Sequence, residues 1–504
     1  MSNEKETKKP YGERKQFNSK KPYVKKDFSD KKELGERKQF DSKKPYVKKD
    51  FNERTPFKER PPFVKKDYTE RPAYEGRKEF KPRQENVEEK KTIREIAYNA
   101  LVEIIINEKF QNIVQNQYIK DNRLFDRDKS FFVNLIHGTV KNYLSLKEEI
   151  NKISNHQIKP KMMVLLAMSY YQLRYLDRTP SYAIINDAVN IAKTIDSSRG
   201  GGFANAVLKK LALLPKASLE EENKIQQEAF PKFLIKLLEA QYGEEITEKL
   251  IKTFNKEARL CVRVNTDKIS VAELLTTGHY TQGVLAPTAL YYTGEDAINE
   301  LIEFKQGKIV VQDETGQLIA PLLMPTKTDK ILDMCAAPGS KLSHICSILK
   351  NKGDVLATDI HESRIKLIEK TLRLQDYRNV SLLTTDATLL KESYKDTFDK
   401  ILLDAPCSGL GVLQRKNDIT LKITDSTIDT CITIQGDLLN TAGVILKRGG
   451  TLVYSTCTLN KNENENQIKA FLNRFRDFEL IEQKTILPFE YNTDGFFYAV
   501  LKRI

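Results

Sequence analysis

The last third of the chain alternates short apolar runs with helical patterns, and this alternation constrains the fold more than any other feature. The apolar runs predict strands at residues 330–334, 354–359, 380–385, 400–404, 450–455 and 495–502. Amphipathic patterns between them include residues 364–374, 427–446 and 463–475. Strands that alternate with helices in this way predict a doubly wound α/β sheet. Ligands bind such sheets at the carboxyl ends of the strands.

The preceding sequence has a different pattern. Residues 92–215 contain only helical periodicity, at 93–104, 129–144, 161–175, 182–194 and 203–213, which predicts an all-α bundle. Residues 216–325 read as a mixed connector, with helices near 220–242 and strand-like segments at 261–265, 283–285 and 308–311. We therefore predict a multidomain chain divided into residues 1–91, 92–215, 216–325 and 326–504.

The first 91 residues form a basic repeat tail. Residues 12–28 and 35–51 differ at one position, and residues 62–68 are a shorter copy. These units lack the aliphatic residues needed for a core, so we predict disorder. Residues 1–90 carry 28 Lys and Arg against 18 Asp and Glu, which is +10 of the net charge of +14. Such a tail favours a polyanionic partner, nucleic acid first, although a purely solubilising role stays open.

Several classes of protein are disfavoured by composition. The longest apolar run, residues 162–168, has seven residues, against the roughly 20 that a membrane span needs. The amino terminus lacks an apolar signal segment, and the six cysteines form no CxxC pair. Cys335, His344 and Cys346 have poor spacing for a metal site. We expect a cytosolic enzyme with no metal and no membrane attachment.

The predicted strand ends carry unusual residues. The first strand leads into DMCAAPGSK at residues 333–341, where small side chains let a ligand approach the backbone before a helix begins. Alone, this is equally a tight strand–helix turn. Asp359 ends the second strand and Asp386 follows the third. Either could be a helix cap, but together they predict an adenosine pocket, with ribose hydroxyls at the first and the adenine amino group at the second.

Two cysteines follow the next two strands, Cys407 in DAPCSG and Cys457 in YSTCT. In an open α/β sheet these two strands are typically neighbours, so both thiols should face one crevice; a disulfide or two inert thiols are the alternatives. The pair suits methylation at carbon 5 of cytosine, because a thiolate added at carbon 6 makes carbon 5 nucleophilic. A second thiol could assist product release. Lys341 could favour the thiolate, and Asp404 could stabilise a proton on ring N3.

The motifs CAAPGSK, DAPCSG and YSTCTL resemble those of the Sun/Nop2 family of RNA 5-methylcytosine methyltransferases. The resemblance implies a Rossmann-like class I methyltransferase domain, with Cys457 as nucleophile and Cys407 aiding product release. It also implies that S-adenosylmethionine is bound by Cys335, Ala336, Ala337, Pro338, Gly339, Ser340, Lys341, Asp359, Asp386 and Asp404. The chain departs from the family pattern at Ser340, Leu342, Leu410 and 416–418, and no reacting group is lost.

The resemblance extends upstream of the catalytic motifs. Residues 263–265 and 312–317 resemble the family's connector, and residues 92–215 resemble a NusB-like RNA-binding bundle, notably at 186–189 and 203–208. This combination implies a monomeric enzyme that methylates a cytosine of 16S ribosomal RNA, free or in an early small-subunit particle. An RNA-binding assembly factor with vestigial catalysis is the alternative, as is the same chemistry on tRNA or another rRNA site.

Overall fold

The computed structural model describes residues 91–154, 156–215 and 219–504. The predicted disordered tail lies outside these residues, apart from Lys91. All described residues fall in one compact unit. Within them, no helix combines the length and apolar character that crossing a bilayer requires.

The amino-terminal region is a helical bundle, which confirms the all-α prediction. Its helices are α1 (Ile93–Ile105), α2 (Gln111–Asp121), α3 (Asp126–Ile153), α4 (Pro160–Tyr175) and α5 (Ser181–Ala212). The hydroxyl of Thr92 caps α1 by accepting from the Glu95 amide, and Ala97, Leu101 and Ile104 bury one face of that helix. Helix α4 is buried almost all round, so it forms the centre of the bundle.

Helix α5 folds back on itself. The sequence predicts two helices here, at 182–194 and 203–213, and the structure joins them into one helical element. A Cβ atom on Gly201 would lie 3.1 Å from Cγ of Lys193. In a straight helix, residues eight apart are separated by about 12 Å. The two predicted segments are therefore the two arms of a bend, and they pack side by side.

The connector combines helices with a small antiparallel sheet. Its longer helices are α6 (Leu219–Glu228), α7 (Lys232–Tyr242) and α8 (Glu244–Phe254). Its strands are β1 (Cys261–Val264), β2 (Tyr280–Gln282), β3 (Ala289–Tyr292) and β4 (Ile309–Val311), in the order β2-β3-β1-β4. Its short helices are α9 (Val271–Thr276), α10 (Ile302–Lys305), α11 (Glu314–Gln317) and α12 (Ile319–Leu322).

The strand predicted at 283–285 is wrong. Strand β2 ends at Gln282, and the following residues turn toward β3, which the sequence reading missed. The carboxylate of Glu314 accepts hydrogen bonds from the amides of Leu285 and Ala286. Because these amides are satisfied by a side chain, they are not available to a neighbouring strand.

A buried arginine joins the connector sheet to the catalytic domain. Arg263 on β1 is fully buried, and its Nη2 donates to Oγ of Ser343 at 2.8 Å. Its Nε donates to Oε1 of Gln312 at 2.9 Å. Burial lowers the pKa of Arg263 to about 10. Ser343 lies on the helix that follows the CAAPGSK loop, so the connector contacts the predicted cofactor-binding region directly.

The catalytic domain contains a seven-stranded sheet with the order β10-β11-β9-β8-β5-β6-β7. Its strands are β5 (Lys330–Asp333), β6 (Asp354–Asp359), β7 (Val380–Thr384), β8 (Phe398–Asp404), β9 (Leu446–Thr456), β10 (Phe478–Ile486) and β11 (Phe496–Arg503). Strands β5 to β9 are parallel, and β11 runs antiparallel between β9 and β10. The doubly wound prediction is confirmed, and β10 was missed because this edge strand is largely exposed and has charged residues at three of its nine positions.

Helices cover both faces of this sheet. The longer ones are α13 (Ser340–Ile348), α14 (Glu362–Gln375), α16 (Asp425–Ile445) and α17 (Glu465–Arg474). The short elements are a 3₁₀ helix (Ala387–Glu392), α15 (Ile419–Lys422) and α18 (Pro488–Tyr491). Separate buried clusters lie on the two faces. The parallel strands therefore present their carboxyl ends at one edge, where the predicted site residues lie.

Candidate active site

The loop between β5 and α13 crosses the carboxyl edge of the sheet. It contains the predicted residues Cys335 to Lys341, and the amide of Ala336 donates to the carbonyl of Thr358 at 2.9 Å. Gly339 has a φ of 101°, in the left-handed region that favours glycine, and α13 begins at the next residue. The loop thus brings small side chains and a helix amino terminus to the edge between β5 and β6.

The predicted acids lie at successive strand ends. Asp359 ends β6, and its buried carboxylate lies 3.2 Å from Nη1 of Arg364. Asp386 caps the 3₁₀ helix, since its Oδ1 accepts from the Thr388 amide at 2.9 Å. Asp333 is also buried here, and neither of its carboxylate oxygens has a hydrogen-bond partner among the described residues. An orphaned buried carboxylate beside an open loop fits a ligand that carries an amino group.

The buried carboxyl of Asp333 gives a pH-dependent prediction. Burial, reinforced by the charge of Asp404, raises its pKa from 3.8 to about 8. The folded state therefore binds this proton more tightly than the unfolded state, and stability should fall as the pH rises across that window. Thermal unfolding without cofactor should show this fall, and Asp333→Asn should reduce its slope.

The residual slope in Asp333→Asn serves as an internal control. Burial and the neighbouring Asp313 raise the pKa of Asp494 to about 7, so this second acid should keep part of the slope between pH 4 and 7. Unfolding temperatures of the wild type and Asp333→Asn that run parallel from pH 4 to 8 would contradict the assignment.

Lys341 and Asp404 form an ion pair beside the loop. Nζ of Lys341 lies 2.6 Å from Oδ2 of Asp404, and Oγ of Ser455 donates to Oδ1 of the same carboxylate at 2.8 Å. Asp404 ends β8 and pairs in register with Ser455 on β9. The structure therefore brings together Lys341 and Asp404, the two charged residues that the sequence suggests for catalysis.

The two cysteines meet next to this ion pair. Strands β8 and β9 are neighbours, and Sγ of Cys407 lies 3.4 Å from Sγ of Cys457. The hydrogen bond between the thiols lowers the pKa of Cys457 and raises that of Cys407. This asymmetry favours a thiolate at Cys457 and a protonated thiol at Cys407.

Two lysines also favour the Cys457 thiolate. The hydrogen bond from Cys407 is the largest effect that lowers the pKa of Cys457, and burial opposes it. The positive charge of Lys416 lowers this pKa further, and the charge of Lys341 lowers it by a smaller amount. The sequence reading named only Lys341 for this role. It missed Lys416, because that residue comes close only through the loop after Cys407.

A buried carboxylate organises both cysteine loops. Glu463 is fully buried, and its carboxylate accepts a hydrogen bond at 2.8 Å from the amide of Ser408, the residue after Cys407. It also accepts from Thr458, which follows Cys457, and from Nδ2 of Asn460 at 3.1 Å. Sequence reasoning missed this residue, because in the polar run NKNENEN it looks like an exposed charge.

Backbone contact between two glycines holds the Cys407 loop in place. The amide of Gly411 donates to the Cys457 carbonyl at 2.9 Å, and its carbonyl accepts from the Gly495 amide at 2.8 Å. A Cβ atom at Gly411 would lie 2.0 Å from the carbonyl oxygen of Gly495. A side chain at this position therefore requires the backbone to move.

We expect Gly411→Ala to destabilise the protein by about 1–3 kcal/mol and to lower methyl transfer, since the shift moves the loop that carries Cys407. Gly436→Ala is the matched control. This helix position has its nearest neighbour at 3.7 Å, so alanine should stabilise by roughly 0.5–1 kcal/mol. Thermal and denaturant unfolding measure both changes; equal stability of the two variants would contradict the packing argument.

The cysteines open onto a cavity of about 830 Å³. This volume lies in the range of sites that enclose a small organic ligand. Arg415, Lys416 and Lys422 of the catalytic domain line it, together with residues 110–113, 115 and 116 of the helical bundle. Among the described residues, no group of three or more His, Cys, Asp or Glu side chains is arranged to hold a metal ion.

Comparison with known proteins gives matches along the described chain. Residues 320–502 match the family model of the 16S rRNA methyltransferase RsmB/F, and residues 91–213 match the NusB family. Residues 230–277 match the ferredoxin-like domain of RsmF/B-like methyltransferases. The order of these matches follows the order of the bundle, the connector and the catalytic domain.

Relatives and solved structures extend these matches over most of the chain. A probable ribosomal RNA small subunit methyltransferase B of Bacillus subtilis is 33% identical over 82% of this chain and 99% of its own length. The crystal structure of PH0851, 24% identical, has the same fold, with a TM-score of 0.71 over 81% of this chain and 98% of that one.

A further structure bears on the cofactor. NSun6 from Pyrococcus horikoshii, solved with the S-adenosylmethionine analogue SFG, is 25% identical with a TM-score of 0.51, over 54% of this chain and 98% of that one. The small-residue loop, the acids at successive strand ends and the orphaned Asp333 carboxylate fit the same cofactor here. The chain belongs to the RsmB/F family of 16S rRNA methyltransferases, and it is an S-adenosylmethionine-dependent rRNA methyltransferase.

Proposed function

We propose that this enzyme methylates carbon 5 of a cytosine in 16S rRNA through a covalent adduct between Cys457 and carbon 6. The observation that carries the proposal is the thiol pair, with 3.4 Å between the two sulfur atoms, in the lining of a cavity of about 830 Å³. Carbon 5 of cytosine is a weak nucleophile, and addition of a thiolate at carbon 6 is the covalent route that activates it.

The first half of the reaction uses Cys457 and Asp404. The Cys457 thiolate forms a bond to carbon 6, and the electron pair of the 5,6 double bond moves through the ring toward N3. A proton taken up from solvent at N3 keeps the adduct neutral, and the side chain of Asp404 stabilises it by accepting a hydrogen bond from that N3–H group. S-adenosylmethionine, once bound, would supply the methyl group to carbon 5 and leave as S-adenosylhomocysteine, after which the proton at N3 returns to solvent.

The second half restores the aromatic ring. Carbon 5 now carries both a methyl group and a hydrogen, and the proton at carbon 5 must leave. Its electron pair re-forms the double bond as the bond between carbon 6 and Cys457 breaks, which returns the thiolate. Adduct formation removes the thiolate charge of Cys457, one of the causes that raise the pKa of Cys407. Cys407 can then lose its proton to solvent, and, as a thiolate beside the leaving sulfur, we assign it to accept the proton from carbon 5 in this elimination.

The remaining predicted residues bind the cofactor in this proposal. Residues 335–341 and Asp359, Asp386 and Asp404 would hold S-adenosylmethionine, with Asp333 added from the structure. The acids at the ends of β6 and β7 suit the ribose and adenine groups, and the open loop before α13 suits the methionine moiety. Lys341 would hold the Asp404 side chain in position between the cofactor and the cysteines.

The decisive experiment is transfer of labelled methyl groups to 16S rRNA that lacks its 5-methylcytosine. We propose that the enzyme is a monomer that acts in the cytoplasm on free rRNA or on an early small-subunit particle. Both substrates should therefore be tested. Label that appears as 5-methylcytosine at one mapped position supports the proposal. Label in another nucleoside, or rRNA binding without any transfer, overturns it and favours different chemistry or an assembly factor.

A further inference from the structure

One wall of the cavity comes from outside the catalytic domain. Residues 110–113, 115 and 116, at the start of α2, line the same cavity as Cys407 and Cys457; we name the segment 110–116 the α2 wall. Two of its apolar side chains are largely exposed, Phe110 at 65% and Ile113 at 60%. Large apolar groups that face an open cavity rather than a core indicate a surface meant for a partner.

Contacts with the catalytic domain hold the α2 wall in position. The carboxylate of Asp418 accepts from the Gln111 amide at 3.2 Å, so it caps a helix that has no side-chain cap of its own. Lys422 donates to the carbonyl of Lys109 at 2.9 Å and pairs with Asp418 at 2.8 Å. Because Asp418 and Lys422 are both mostly buried, these bonds set the distance between the α2 wall and the cysteines.

The composition of the α2 wall suits an unpaired nucleotide. One side of the Phe110 ring is covered by the Lys422 ammonium, 5.0 Å from the ring centroid, and the ring remains mostly exposed. Asn112, Gln115 and Asn116 add amide groups that can donate and accept at a base edge. Single-stranded RNA is recognised by such aromatic platforms together with polar side chains and cations.

We propose that the α2 wall binds a nucleotide adjacent to the target cytosine, with Phe110 stacked on its base, and so holds the RNA strand at the active site. A cytosine that reaches Cys457 brings its neighbours in the strand to the mouth of the same cavity. The inference rests on the proposed function, because it takes the base at Cys457 to be the target.

The test is a cycle of protein and RNA changes. Phe110→Ala is compared with Phe110→Trp, which keeps a stacking surface, and with Phe125→Ala, which removes an equally exposed ring (71%) from outside the cavity lining. Each protein is assayed with the mapped substrate RNA and with RNAs that carry an abasic nucleotide immediately before or after the target. Affinity is measured without S-adenosylmethionine, and KM and kcat are measured with it.

Phe110→Ala should weaken RNA binding and raise KM about 10-fold, a typical value for one stacked base, while kcat and cofactor affinity change little. One of the two abasic RNAs should bind the wild type more weakly by a similar factor. The same RNA should bind Phe110→Ala almost as well as the mapped substrate RNA does. Phe110→Trp and Phe125→Ala should behave like the wild type. Equal losses for both proteins on both abasic RNAs, or unchanged binding by Phe110→Ala, would overturn the proposal.

The binding arm separates this inference from the proposed chemistry. If the wild type methylates an atom other than carbon 5 of cytosine, the proposed function fails, yet the abasic cycle on the nucleotide that is modified still tests stacking by Phe110. If 5-methylcytosine forms and the cycle shows no coupling, the chemistry stands and the role of the α2 wall fails.

Discussion

Cys457→Ala should abolish 5-methylcytosine formation, with a fall in turnover of roughly 10⁴-fold or more. Without the thiolate, carbon 5 of cytosine is not activated, and no other described side chain occupies the position of Sγ beside Cys407. Binding of S-adenosylmethionine should be retained, because the predicted cofactor residues lie on the loop after β5 and at the ends of β6 to β8. Single-turnover methyl transfer and calorimetric cofactor binding measure the two properties separately.

Cys457→Ser is the matched control for shape. Serine keeps a polar group of similar size at the end of β9 but ionises too weakly to add to the ring at neutral pH. It should therefore lose activity to a similar extent while unfolding at a temperature close to that of the wild type. Substantial 5-methylcytosine formation by either variant would show that Cys457 is not the nucleophile.

Cys407→Ala should give a different result, in which turnover falls by about 10²–10⁴-fold while RNA becomes covalently attached to the protein. Cys457 can still add to the ring and the methyl group can still be transferred, but the residue assigned to proton transfer is missing. The adduct then accumulates. A complex of protein and labelled RNA that survives denaturing electrophoresis, and forms only when S-adenosylmethionine is present, is the expected observation.

The double variant Cys407→Ala, Cys457→Ala shows which sulfur carries the RNA. It should form no denaturant-resistant complex, and peptide mapping of the single variant should place the nucleotide on Cys457. Trapping that persists in the double variant would assign the attachment to another residue. Turnover by Cys407→Ala at the wild-type rate would remove Cys407 from the mechanism.

Much of the fold follows from local sequence patterns. The strands of the catalytic sheet were predicted because they are apolar runs bounded by turn residues, and their alternation with helices predicted that β8 and β9 are neighbours. That adjacency led to the expectation of two thiols in one crevice. Strand β10 escaped prediction, because its exposed, charged positions resemble a surface loop.

The parts of the site that were missed depend on contacts between distant segments. Glu463 reaches the amide of Ser408, 55 positions earlier, and only the folded loops show that its carboxylate is buried. The Gln111 amide donates a hydrogen bond to Asp418, which lies 307 positions later in the sequence, and no periodicity in either segment predicts that contact. Local patterns predict elements and their chemistry, whereas the walls of a cavity arise from how separate domains pack.

Arg263 and residues 319–323 determine where this enzyme can be cut into fragments or joined to parts of a relative. The buried guanidinium reaches Ser343 from the connector, and Ile319, Ala320 and Leu323 belong to the core that packs against α13 and β6. A fragment cut at residue 326 would lose all four side chains and uncover the apolar face of the cofactor-binding half. The transplantable module therefore includes the small antiparallel sheet, and a chimaera should exchange connector and catalytic domain as one block.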